Sequence, residues 1–385
     1  MSKYDFSKID QLMDTMEQRG IPGCEFAITY KGEKIYDRCS GIANKETGKP
    51  VDEKTLWWIY SASKISTCIG AMQLVEQGKI GLEDPVSKYI PSFANLTVKT
   101  DEGPKPCDKE MKIIHLFTMT GGLDYDLQHP AALQAAFDAG KGTVDVCAEM
   151  AGKELKFAPG EHFLYSLCHD VLGAVVEVVS GMRLSEYLKK NLWEPLGMTD
   201  TGFWPTEEQK ARISDTYMFD HSKGQAEFVP MEYVAFINGD KNYDAGGAGV
   251  FSCTNDYLKL MTALSLGGVS PDGVRILKEE TVKMLMVNRL SDQCRKDLWT
   301  ERLYGYGWGL CGRVHINKAY SLSGSSEGEF GWDGAAAAYA LADPVKQVAL
   351  YFGTHVLGCS YCYCWVHPKL RDLAFEAIEK AEADA

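Results

Sequence analysis

Ser61 and Lys64 stand three residues apart in "IYSASKISTCIGAMQLV" (59–75), and Lys64 is the one charge in the fifteen residues that follow Tyr60. An apolar helix excludes lysine unless something pairs it or uses it. Residues i and i+3 are neighbours on a helix, which puts Lys64 beside Ser61. A helix start also offers backbone N–H groups to developing negative charge. Apolar surroundings near the positive end of a helix disfavour a charged lysine. A neutral amine beside a hydroxyl is a general base beside a nucleophile, the two parts needed for covalent acyl transfer. The same letters also fit a capping serine followed by a lysine that reaches outward.

The elements that must position this pair are legible around it. "LWWIY" (56–60) reads as a short buried strand, and the helix begins at about Ser61 to Ser63. Apolar periodicity predicts an amphipathic helix over 5–19 and further helices over 63–77, 131–150, 166–180 and 183–191, with Pro and Gly between them. Alternation around Lys31-Gly32 predicts a hairpin. Strand character returns in "GAGVFSC", "AAAAYALAD" and "QVALYFGTH", and the chain closes on the helix "PKLRDLAFEAIEKAEA". Strands at both ends with helices between them imply an α+β fold: one sheet built from both termini, flanked by helices, with an inserted mostly helical domain. The expected division is 1–70 with 236–385 for the sheet domain and 71–235 for the helical one, with a cleft at their junction.

Composition narrows the function classes. The chain has 385 residues, 45% hydrophobic and 24% charged, as in ordinary folded proteins. A net charge of −13 argues against nucleic acid and anionic membrane surfaces as partners. No apolar run approaches a membrane span of about 18 residues. The first twenty residues mix charges with helical spacing, unlike a signal peptide, and a cytoplasmic location is expected. Twelve scattered cysteines then read as reduced thiols. "CSYCYCWVH" gathers Cys359, Cys362, Cys364 and His367, but structural zinc sites draw paired ligands from two separated segments, so buried or rim cysteines are the preferred reading and no metal is expected.

Two further stretches accompany Ser61-x-x-Lys64: "FAPGEHFLYSLCHDVLGAVVEVVSG" (157–181) and the Gly-rich "GEFGWDGAAAAYALADP" (328–344). In this order and at these separations the three resemble the serine β-lactamase-like family of class C β-lactamases, D-alanyl-D-alanine peptidases, family VIII carboxylesterases and related acyltransferases. "KIIHLFTMTGGLDYD" (112–126), "NLWEPLGMTDTGF" (191–203) and "AGGAGVFSCTNDYLKL" (245–260) look like further segments of that family. The resemblance covers nearly the whole chain and implies a β-lactamase/transpeptidase-like fold with an antiparallel sheet.

The resemblance also implies roles. Ser61 would be the acylated nucleophile, Lys64 its proton-abstracting partner and Tyr165 a sharer in the general acid/base work, with the N–H groups of Ser61 and Ala335 forming the oxyanion hole. An ordinary tyrosine has a pKa near 10, so a nearby ammonium would have to favour its phenolate. No cofactor is implied.

Departures from the family pattern bear on the substrate. Leu167 replaces the amide of the family's Tyr-x-Asn motif, and Trp332-Asp333-Gly334 replaces Lys-Thr-Gly. Family VIII esterases carry a similar Trp-x-Gly, so these three positions are expected to line a site for a small-molecule ester or amide, with carboxylic ester hydrolysis favoured. Rival readings are an acyltransferase, a β-lactamase or D-alanyl-D-alanine peptidase, and a sensor or scaffold without turnover. With the family's lysine gone, Asp333 would repel anionic substrates: a like charge ~4 Å away at an effective dielectric near 20 costs a few kcal/mol. Neutral esters are therefore expected to outrun penicillins, cephalosporins and D-alanyl peptides. His115 and His169 are expected to be structural, "GGAG" (246–249) a tight turn near the cleft, and the acids of "SSEGEFGWDG" solvated.

Overall fold

Alternation along the strands decides how the sheet is covered. In Gly23–Tyr30, Phe26 and Ile28 join one apolar cluster and Ala27 the other. Tyr339–Asp343 and Val348–Thr354 repeat the division: Leu341, Leu350 and Phe352 lie on the first side, and Ala340, Ala342, Ala349 and Tyr351 on the second. Successive side chains of a strand point to opposite faces, so both faces are buried.

The computed structural model describes residues 3–125, 135–136, 138–229 and 241–384. Its main sheet has eight strands in the order Tyr306–Trp308, Arg313–His315, Phe330–Asp333, Tyr339–Asp343, Val348–Thr354, Gly23–Tyr30, Glu33–Asn44, Lys49–Pro50. All pairings in it are antiparallel, and the register Ala27↔Tyr351 joins the two ends of the chain. The fold is α+β. The hairpin turns on Lys31 and Gly32, with φ of 50° and 85°, as a two-residue turn that matches strand twist requires.

Helices cover each face. Ser7–Met13 and His367–Ala383 place Ile9, Leu12, Leu370 and Phe375 against Phe26, Leu350 and Phe352. Thr254–Ser265 crosses the alanine-rich face, and beyond it lie Ser63–Glu76, Cys168–Ser180 and Thr143–Met150. Ser63–Glu76 is buried without a break from Ser63 to Leu74, the mark of a core helix.

Local details differ from the periodicity. The expected 5–19 helix ends at Met13, and a separate 3₁₀ turn, Glu17–Arg19, stops at Gly20 with φ 78°. Leu184–Leu188 continues into a π turn, Lys189–Trp193. Part of the expected 131–150 helix and the boundary at 235/236 lie outside the described residues. Among the described residues no helix is long and apolar enough to cross a membrane.

Candidate active site

Ser61 is delivered by a sharp reversal. Trp57–Trp58 pairs with Phe251–Ser252, and Ile59 N–H donates to Val250 O at 3.0 Å. Tyr60 then takes φ +45°, a left-handed conformation that costs a bulky residue energy and that clusters at functional sites. Ser61 follows in the one-turn helix Tyr60–Ala62, which runs into Ser63–Glu76.

The fully buried Lys64 is a hub. Its Nζ donates to Gly247 O at 2.7 Å, to the Tyr125 hydroxyl at 2.9 Å and to Ser61 Oγ at 3.3 Å. Burial alone would strip its proton, but the oxygens of Tyr125, Tyr165 and Asp170 around it raise its pKa above the ordinary lysine range. That direction, and three acceptors for the three donors of an ammonium, favour the charged form over the neutral amine expected from the apolar helix. Periodicity shows the apolar helix but not the oxygens that later elements bring to it.

Tyr165 meets Lys64 through its ring, whose centroid lies 4.7 Å from Nζ, and its hydroxyl accepts the Trp332 indole N–H at 2.8 Å. Tyr125 stacks on Tyr165 at 5.5 Å, and Trp332 packs edge-on against Trp308 at 4.5 Å. Ser61 and Tyr165 thus line a cleft of about 470 Å³ with Phe163, Leu303, Trp332 and Ala335, among others, and Lys64 and Tyr125 pack behind them.

Two residues near Lys64 were missed by sequence reasoning. Tyr125 closes the quoted "TGGLDYD" stretch, and its loop is pinned by Asp124, whose carboxylate meets Lys153 and Lys156 at 2.9 Å each. Burial lifts the Tyr125 phenol above its ordinary pKa, against the pull of Lys64. Asp170, buried on Cys168–Ser180, accepts the Tyr243 hydroxyl at 2.8 Å. A Cβ at Gly247 would come within 2.4 Å of Asp170 Oδ2 and 3.3 Å of Lys64 Nζ, so only glycine lets the backbone lie between them. Burial raises the Asp170 pKa, and Lys64 opposes it. Asp170 carried a weaker form of the Lys64 signal, one of two acids with Glu177 in an otherwise apolar helix.

The third motif forms the opposite lip. Gly334 N–H donates to Ala338 O at 2.8 Å in the turn after Phe330–Asp333. A Cβ at Gly334 would stand 2.2 Å from Ile59 O, so glycine is what allows this turn to lie against the chain leading to Ser61. Ala335 is exposed into the cleft there, and the Tyr363 hydroxyl lies 2.7 Å from Gly334 O and 2.8 Å from Ala335 O.

Asp333 does not act as expected. It is buried, its Oδ1 accepts from Arg313 at 2.9 Å, and its Oδ2 accepts from Arg302. Burial works against its charge, but Arg313 first, then Arg302 and His367, hold its carboxyl below the usual range. Its negative charge is spent on two guanidiniums, so the repulsion of anionic substrates disappears. Glu329 is buried as well, 3.5 Å from Arg313, while Glu327 is exposed; the solvated acidic run is thus corrected for two of its members. Arg302 and Arg313 come from segments 20 to 31 residues upstream of Asp333, beyond the reach of local pattern.

The remaining expectations fall on structural contacts. Lys112 N–H donates to His115 Nδ1 at 3.1 Å, and His169 Nε2 lies 3.1 Å from Phe117 O. Burial lowers the His169 pKa to about 3, so the ring is neutral. The thiols of Cys359 and Cys362 meet at 3.3 Å, Cys364 is exposed, and His367 Nε2 faces Ala337 O at 3.0 Å, so the four do not converge on one point.

Residues 7–357 match the protein family described as Beta-lactamase. The chain belongs to that family. It is 29% identical over 282 residues to esterase EstB of Burkholderia gladioli, covering 67% of this chain and 69% of that one. It is also 29% identical over 298 residues to the ML-236A carboxylate methylbutanoyltransferase mlcH of Penicillium citrinum, covering 72% and 68%. Among solved structures, EstCE1, a hydrolase with promiscuous acyltransferase activity, superimposes with a TM-score of 0.80 at 25% identity over 96% of this chain and 98% of that one. Family and relatives make this protein an enzyme of the serine-hydrolase type.

Proposed function

We propose that the protein hydrolyses carboxylic esters through an acyl-enzyme on Ser61. The observation that carries the reading is Lys64 Nζ donating at once to Tyr125 and to Ser61 Oγ, which lines a cleft whose far lip holds an indole, Trp332, where a β-lactamase carries a lysine. Lys64, as an ammonium, orients Ser61 and stabilises negative charge beside it. Tyr165 enters this step as the phenolate, its oxygen accepting the Trp332 N–H beside the Lys64 ammonium, and takes the serine proton as Oγ attacks the ester carbonyl. The N–H groups of Ser61 and Ala335 receive the oxyanion, and the alcohol leaves with the proton from Tyr165. Water then enters by the reverse sequence and frees the acid.

A second reading, transfer of the acyl group to an alcohol or amine, uses the same intermediate. It is supported by the likeness to the methylbutanoyltransferase and to EstCE1, whose acyltransferase activity accompanies hydrolysis. A cytoplasmic site of action fits the twelve unbridged cysteines.

The test is a panel of p-nitrophenyl esters, with and without added alcohols, read with intact mass. Ser61→Ala is expected to lower hydrolysis by about 10³-fold or more. Fluorophosphonate labelling that persists in Ser61→Ala at another serine would overturn the assignment. Nitrocefin turnover comparable with the esters would favour a β-lactamase, and a stable acyl adduct without turnover would favour a sensor.

A further inference from the structure

The cleft contains a cation that the third motif lacks. Arg302, in the short turn Glu301–Leu303, lines the same cleft as Ser61. Three contacts fix it: an ion pair with Asp333, the Trp332 ring 5.4 Å from its guanidinium carbon, and the Tyr363 ring 5.0 Å away. Its segment is anchored in turn by Trp299 Nε1 donating to Tyr306 O at 2.7 Å and by Leu303 N–H donating to Thr300 O at 2.8 Å. A guanidinium held between two aromatic faces gains cation–π attraction and loses little freedom when it binds a ligand.

Its donors are only partly used. Nη1 serves Asp333, and among the described residues Nε and Nη2 make no hydrogen bond. The side chain is 26% exposed. A free Nε–Nη2 edge offers two parallel N–H groups, a geometry that matches a carboxylate. Neither acid lining the cleft cancels this. Asp333 is shared with Arg313, and Asp297 is occupied by His162 Nδ1 and Phe163 N–H, each at 3.0 Å. Among the described lining residues Arg302 is the one cation.

We infer that Arg302 is a specificity-determining residue, selecting esters that carry a second, ionised carboxylate. The inference rests on the ester reading for the chemistry at Ser61 and adds the substrate class. It reverses the preference for neutral esters that the sequence implied, because the acid thought to repel anions is neutralised by the arginine that would bind them.

The carboxylate could sit on either side of the scissile bond, and two pairs of substrates separate the cases. Mono-p-nitrophenyl adipate against p-nitrophenyl hexanoate tests the acyl side. 3-Carboxyphenyl butyrate against 3-carbamoylphenyl butyrate tests the alcohol side. The readout is the ratio of kcat/KM, anionic over neutral, in wild type, Arg302→Gln and Arg302→Lys. Glutamine keeps a donor for Asp333, and Arg313 still pairs that acid, so the fold is retained. The ratio is expected to fall at least tenfold in Arg302→Gln for one of the pairs, with Arg302→Lys between the two. A ratio unchanged in both pairs overturns the inference while leaving the ester reading intact. Should none of the esters turn over, calorimetric titration of mono-p-nitrophenyl adipate and 3-carboxyphenyl butyrate into Ser61→Ala, with and without Arg302→Gln, decides the matter. A tenfold or greater loss of affinity for either supports Arg302 even though the ester chemistry has failed, and equal affinities for both refute it.

Discussion

Two carboxylic acids are buried in the same sheet, Asp333 beside the cleft and Glu25 in the Gly23–Tyr30 strand, and the protein treats them differently. Asp333 is given two guanidiniums and stays charged. Glu25 is given none. Burial, with the neighbouring Asp37, lifts its pKa to about 8, and Lys34, which opposes this shift, is itself held by Asp37 at 2.5 Å and Asn255 at 2.9 Å. Around Glu25, opposite Gly353, the Trp57 indole N–H and Thr254 hydroxyl also lack hydrogen-bond partners among the described residues. Burial sets the cost of a charge, and only a partner from another segment can offset it. Near the catalytic wall such partners are supplied, as they also are to Lys64. Three strands away, at Glu25, the proton supplies the neutrality instead.

The sharpest way to break this contrast is to remove a compensated charge from the cleft. Lys64→Met should lower kcat/KM for an ester by on the order of 10³-fold, and adding Tyr165→Phe should make it little worse, because groups that act as one unit lose activity together. Fully additive losses in the double variant would show two independent roles.

Next in size is the structural side of the same wall. Arg313→Met leaves Asp333 and Glu329 without their shared cation, 2.9 and 3.5 Å away. Breaking a buried pair on one side costs about 3–5 kcal/mol, to be read as a shift of the urea midpoint at constant slope.

The two acids should then give opposite pH slopes. Asp333, with its folded pKa lowered, contributes stability above its unfolded pKa near 4 and loses it as pH falls through the folded value. Glu25, with its folded pKa raised to about 8, binds its proton more tightly when folded, so its contribution is complete below about pH 4.5 and is lost as pH rises towards 8. Glu25→Gln should reduce the stability difference between pH 5 and pH 8 by roughly 2–4 kcal/mol, a discounted use of ~1.36 kcal/mol per pKa unit. An unchanged difference in chemical unfolding at the two pH values would place a hidden cation beside Glu25.

The smallest effect is expected from metal removal. Prolonged chelation should leave ester hydrolysis unchanged, since Cys359, Cys362, Cys364 and His367 do not converge. Stoichiometric zinc lost together with folding would instead make that segment a structural site.

Much of this was legible in the sequence, for reasons of period. Alternation around Lys31-Gly32 specified strands and a hairpin because side chains of a strand repeat every two residues, and "AAAAYALAD" and "QVALYFGTH" showed strand character. A lone lysine three residues after a serine, at the start of a helix apolar on all sides, put both groups on one face. The order and spacing of three motifs carried the family resemblance, and strands at both ends of the chain with helices between them carried the α+β reading. What sequence could not supply was the partner of each charge. Tyr125 reaches Lys64 across 61 residues, Arg313 reaches Asp333 across 20, and Gly247 lets Asp170 stand behind Lys64 from another segment. The protonation of Lys64, the silence of Asp333 as a repelling charge and the exposure of Arg302 to the cleft all follow from those meetings. A side chain's identity fixes which charge it can carry, whereas burial and the groups packed around it decide whether it carries that charge, and those are set only when distant segments fold together.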